Sequence, residues 1–109
     1  MLYVEGTTIK LTRGDTAFLT ILIEREGTGQ AYELAEEDAL VFTVKKNTYE
    51  REALIQKKLL GGNLFEFTPE DTAGLDFGLY VYDVQLTTAV GHVFTVVEAS
   101  NFRILEEVT

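Results

Sequence analysis

Three groups of side chains in this 109-residue sequence have types and spacings that could do chemistry. The first is His92 with Ser100, the only histidine and the only serine. A serine nucleophile needs a histidine base, an acid to orient that base, and a tight turn to expose it. No such local motif surrounds Ser100, and His92 reads as the first residue of a strand after a loop. The second group is Glu70, Asp71, Asp76 and Asp83. Calcium takes six to eight oxygens from closely spaced ligands. These acids lack that spacing and read as caps and solvated groups, so neither a metal nor a cofactor is expected. Asp83 differs from the rest because it falls in mid-strand, with Lys45 or Lys57 as its cross-sheet partner. No carboxylate pair for glycoside hydrolysis can be assigned, and a chain this short has little room for a substrate cleft. The third group is Arg13-Gly14-Asp15, a tripeptide known from integrin recognition. Between two strands it is also what a tight turn requires, with Gly for the backbone and Asp to bond the chain ahead. It reads as a turn, and no enzyme activity is expected.

Composition points the same way. The length bounds one domain over residues 1–109, and the 46% hydrophobic content suffices for a core. Eighteen acids against nine bases give a net charge of −9, which repels nucleic acid and anionic membranes. There is no cysteine, so disulfides, thiolate metal sites and cysteine nucleophiles are excluded. The first residues do not form a basic start followed by an apolar run, so no signal peptide is expected. No apolar run approaches the length of a membrane span.

The elements that must position these residues are strands. Runs rich in Val, Ile, Thr, Phe and Tyr, each ended by a turn cluster, predict strands over 7–12, 16–24, 31–34, 39–47, 53–59, 64–68, 77–87, 92–98 and 102–108. Leu40, Phe42 and Val44 share one face, as do Tyr80, Tyr82, Val84 and Leu86. Thr68 is a good N-cap, Pro69 fits a first helical position, and Asp71 sits where a capping acid belongs, which predicts a short helical turn near 69–75. Strands of this length and spacing argue for an all-β sandwich or barrel.

Asp76-Phe77-Gly78-Leu79-Tyr80 resembles the tyrosine corner of immunoglobulin-like sandwiches. The resemblance implies that the Tyr80 hydroxyl bonds back to the preceding turn and that Gly78 permits close approach of the chain. Tyr82 stands where that family has its second cysteine, and Phe42 is the substitute for its core tryptophan. The expectation is an immunoglobulin-like antiparallel β-sandwich of about 7–9 strands.

The runs "IKLTRGDTAFLTI", "ALVFTVKKN", "PEDTAGLDFGLYVYDVQLTTAVGHVFTVV" and "FRILEEVT" are similar to small immunoglobulin-like structural proteins of tailed phages and prophages, in particular the N-terminal domain of baseplate upper proteins. This resemblance spans nearly the whole chain and carries no catalytic motif. It implies a virion component of the baseplate, tail or head-decoration type, made in the bacterial cytoplasm, whose partners are other virion proteins or copies of itself. Apolar residues on both faces of two strands agree with a contact role, and Phe18, Leu22, Leu79 and Val81 are the expected interface. The alternative is an immunoglobulin-like binding module for carbohydrate or a cell-surface partner, using Tyr3, Tyr32 and Tyr49 as an aromatic cluster.

Overall fold

The computed structural model describes residues 2–25 and 27–108, with the side chains of Tyr3 and Glu5 outside that description. The described residues form eight strands and one short helix: β1 (Leu2–Glu5), β2 (Thr8–Thr12), β3 (Ala17–Thr20), β4 (Ala39–Lys45), β5 (Ile55–Leu60), β6 (Leu64–Phe67), α1 (Pro69–Ala73), β7 (Gly78–Thr87) and β8 (Val93–Leu105). Six strands make one sheet in the order β1-β2-β8-β7-β4-β5, and β3 pairs with β6 in a second.

Alternation sets which side faces in. In β4, Leu40, Phe42 and Val44 are fully buried, and their neighbours Val41, Thr43 and Lys45 are only half-buried. Tyr80, Tyr82, Val84 and Leu86 of β7 are buried on the same side of the sheet. Phe65 and Phe67 of β6 meet them from the second sheet. Phe42 contacts Phe65, Phe67, Tyr82 and Phe102, with ring centroids 5.5, 5.3, 4.9 and 6.2 Å away. The aromatic centre thus joins both sheets, and no disulfide is present because the chain has no cysteine.

Four expectations need correction. The large sheet is mixed rather than antiparallel, because β2 runs parallel to β8, with Ile9 opposite Phe102 and Leu11 opposite Ile104. After β2 the chain crosses through the Arg13–Asp15 turn to the other sheet, so no hairpin constrains the direction of that pairing. The strand expected over 16–24 stops at Thr20, and a single bridge between Glu24 and Ala31 replaces both its end and the strand expected over 31–34. The strands expected over 92–98 and 102–108 are one, β8, whose pairing with β7 shifts register between Tyr82 and Gln85, passes over Val96, Glu98 and Ala99, and resumes on either side. Finally, β1 has no counterpart among the strands expected from the sequence.

Two glycines have distinct reasons to be glycine. Gly61 has φ +67°, and a Cβ there would stand 3.1 Å from the Glu36 backbone, so another stretch of main chain approaches it closely. Gly78 instead meets nothing within 4 Å. Its φ of +142° is what excludes a side chain, and the close approach expected there is not found.

Candidate contact surfaces

The helical turn and the start of β7 form a cross-braced corner. Asp71 accepts the backbone N–H of Thr68 and the ammonium of Lys57, each at 2.8 Å. Burial pushes its carboxyl up, but these two donors outweigh that and hold it below the usual carboxylate range. Lys57 is therefore committed to α1 and not to Asp83. The Tyr80 hydroxyl donates to the Asp76 carbonyl at 2.8 Å, as the Asp-x-Gly-x-Tyr pattern implies, and burial raises its pKa. The Tyr82 hydroxyl donates to the Thr7 carbonyl and ties the chain before β2 to the core.

The Arg-Gly-Asp tripeptide is locked into the same corner. The Arg13 guanidinium donates to Glu107 Oε1 at 2.8 and 3.1 Å and to the Leu75 carbonyl at 3.3 Å. It also stacks 4.2 Å from the centroid of Phe77. Gly14 N–H donates to the hydroxyl of Thr72, which is fully buried, at 2.8 Å. An arginine with these four contacts serves the fold, as the turn reading requires.

The residues that could have made an enzyme are apart. His92 lies in the β7–β8 turn, stacked edge-on against Phe94, and Ser100 lies far along β8, where its hydroxyl donates to the Glu98 carbonyl. Eight residues of strand put them more than roughly 20 Å from each other. Among the described residues no three His, Cys, Asp or Glu side chains group to hold a metal, and no helix is long and apolar enough to cross a membrane.

The expected interface residues divide between opposite sides of the molecule. Leu79 and Val81 lie on the outer face of the large sheet, with Arg103 and Asn101 beside them on β8 and Lys45 beside Val81 on β4. Leu79 is exposed, as are Leu60 and Val93 towards the other end of this face, but the residues between them are mostly polar. Thr43, Gln56, Asp83 and Gln85 floor a shallow concavity of about 440 Å³, where burial raises the Asp83 carboxyl and Lys45 only partly offsets the rise. Phe18 and Leu22 belong to the outside of the two-stranded sheet and are 60% and 83% exposed. Leu64 joins them there at 54%, opposite Thr20. This is the more apolar face, and sequence reasoning missed Leu64, whose signal was its alternation with the buried Phe65.

A third apolar area opens at the end of the molecule away from the Tyr80 corner. The two-stranded sheet is shorter than β7 and β8, so it leaves part of their inner face uncovered. Leu22, Ile23, Leu86, Phe94 and Val96 line a groove there of about 700 Å³. Tyr32 stands at its edge, with its hydroxyl on Asp38 at 2.7 Å and the Arg25 guanidinium over its ring. Tyr49 is fully exposed beyond the other end of β4, and the side chain of Tyr3 lies outside the described residues. Tyr32 and Tyr49 do not form the aromatic cluster that a carbohydrate platform would need. Comparison with protein-family models, with curated proteins and with solved structures found no match.

Proposed function

We propose that this chain is a non-enzymatic assembly module of a phage or prophage particle, of the baseplate, tail or head-decoration type, built on an immunoglobulin-like sandwich. The fold reading is supported by the division of strands. In that fold the second and fifth strands share one sheet, while the third, sixth and seventh share the other. With β2 taken as first, the fourth strand missing and β5 an added edge strand, β3 and β6 would fill the former places and β4, β7 and β8 the latter. On this reading the Tyr80–Asp76 bond would be the tyrosine corner, and the Phe42–Tyr82 stack would stand in for the tryptophan and disulfide.

The observation that carries the assembly role is the outer face of the two-stranded sheet. It presents Phe18 of β3, Leu64 of β6 and, just past the end of β3, Leu22 to solvent, and each of the two strands has an unpaired edge among the described residues. A stable contact buries about 800 Å² per partner, with an apolar centre and a polar rim, and these three side chains would form such a centre. We narrow the class of assembly to a phage or prophage particle on the resemblance of the sequence runs named above, which no matched family or relative supports.

The test is made on purified particles of the phage or prophage that encodes the chain. The expected result is the chain present at fixed stoichiometry, and lost from particles when Phe18 and Leu64 are both replaced by Asp. Particles that never contain it, and a gene with no capsid or tail genes around it, would overturn the proposal.

A further inference from the structure

Of the four sheet edges, three carry charge. β5 has Lys57 and Lys58, β6 has Glu66, and β1 has Glu5. Charged side chains are a common means of keeping exposed edges from pairing with other chains. The fourth edge, β3, lies within residues 16–23, "TAFLTILI", which hold no charge, no proline and no glycine. Among the described residues it is the one edge with no charged side chain of its own, although it is short.

The backbone of β3 is also set to pair. Its odd-numbered residues face β6, as the bond from Ile21 N–H to the Asn63 carbonyl at 2.9 Å shows. In an antiparallel pair the next residues point their N–H and C=O groups the other way. The outward groups therefore belong to Phe18, Thr20 and Leu22, all of which are exposed.

From this edge we infer that two copies of the chain join through β3, antiparallel about a two-fold axis at Thr20, to merge their two-stranded sheets into one. This rests on the reading of that sheet as a contact surface and names its occupant. The register follows from the outward groups. Thr20 sits opposite Thr20 of the other copy, and Phe18 opposite Leu22 in both directions, so each pair exchanges backbone hydrogen bonds. The same register lays Phe18 beside Leu22 on the outer face and covers two of the largest exposed apolar side chains. Charge favours a second copy here over the other edges. Each copy carries −9, and residues 16–23 are where two such chains can meet without placing like charges against one another.

The experiment uses the intact chain, which has no cysteine of its own. A hydrogen-bonded antiparallel pair has a Cα separation of about 5.5 Å, within the range a disulfide spans. Thr20→Cys is therefore expected to cross-link under mild oxidation at least about tenfold faster than Glu66→Cys, because pairing raises the local concentration of the two thiols. Sedimentation of the wild-type chain is expected to show a concentration-dependent dimer. Thr20→Lys sets two ammonium groups face to face and should return it to a folded monomer. If T20K fails to fold, the comparison of T20C with E66C still decides. A wild-type chain that stays monomeric, or a dimer that survives T20K, or cross-linking no faster at position 20 than at 66, overturns the inference. A monomer that nevertheless enters particles would overturn the pairing alone, with β3 then open to a foreign strand. A dimer found in no particle would overturn the phage reading alone.

Discussion

Phe42 and Tyr82 lie parallel, ring centroids 4.9 Å apart and planes within 7°, one on β4 and one on the neighbouring β7. The centroid separation exceeds the roughly 3.5 Å contact distance of carbon atoms, so the rings are offset, a favourable arrangement for aromatic pairs. Phe42 also touches three further rings, whereas the Tyr82 hydroxyl adds only the bond to Thr7. Phe42→Ala is expected to cost about 3–5 kcal/mol. Tyr82→Phe keeps the stack and should cost about 0.5–1.5 kcal/mol. Urea denaturation checks both, and equal costs would show that the hydroxyl, not the stack, dominates.

The corner offers a paired test. Tyr80→Phe deletes one hydrogen bond to the Asp76 carbonyl and should cost about 1 kcal/mol. Gly78→Ala puts a Cβ at φ +142° and should cost at least about 1 kcal/mol, although the space around it is open. A neutral G78A in thermal melts would mean that the backbone relaxes out of that conformation.

Arg13 should behave as a structural residue. Arg13→Ala loses the two bonds to Glu107 and the stack on Phe77, and is expected to lower stability by about 1 kcal/mol. Arg13→Lys keeps the charge but not the planar fork and should recover less than half of that loss. Full recovery in the lysine variant would reduce the contact to simple charge.

Two aspartates should respond to pH with opposite signs. The Asp71 carboxyl is held low, so its contribution is present at neutral pH and is lost as pH falls below about 4. Asp71→Asn is expected to cost about 0.5–1 kcal/mol at pH 7, with the difference from wild type closing in acid. The Asp83 carboxyl is raised by burial, so stability falls as pH climbs from about 4 through its folded value. Asp83→Asn should therefore stabilise the protein at pH 7, by up to about 0.5 kcal/mol, and lose that gain below about pH 4. Denaturation curves at several pH values check the crossing, and a destabilising D83N would make Lys45 the stronger influence.

What was legible in the sequence follows from how side chains report burial. β4 and β7 alternate cleanly, so their buried faces could be read from Leu40 to Val44 and from Tyr80 to Leu86. The Thr68–Asp71 capping pattern marked α1 for the same local reason. Residues 16–24 misled because they are apolar on both faces, and a strand pattern cannot show where pairing stops. β8 looked like two strands because its register shifts displace the alternation. The parallel contact between β2 and β8 leaves no trace in either strand, since period-two alternation does not name a neighbour. For the candidate surfaces, the exposure of Phe18, Leu22 and Leu79 was legible, but their division between opposite faces depends on the packing of the two sheets.

The parallel pairing of β2 with β8 also decides how the molecule meets a pulling force. Residues 9 to 12 are held against residues 102 to 105, near opposite ends of the sequence, with both strands running the same way. A tether before β2 and a tether after β8 would therefore pull these strands lengthwise past each other. Their hydrogen bonds would be loaded together in shear, whereas the antiparallel β1–β2 hairpin would open one pair at a time. Stretched by its two ends, the chain should give up β1 readily and then resist sharply at β2. The parallel pair is therefore a mechanical clamp between the two ends of the fold.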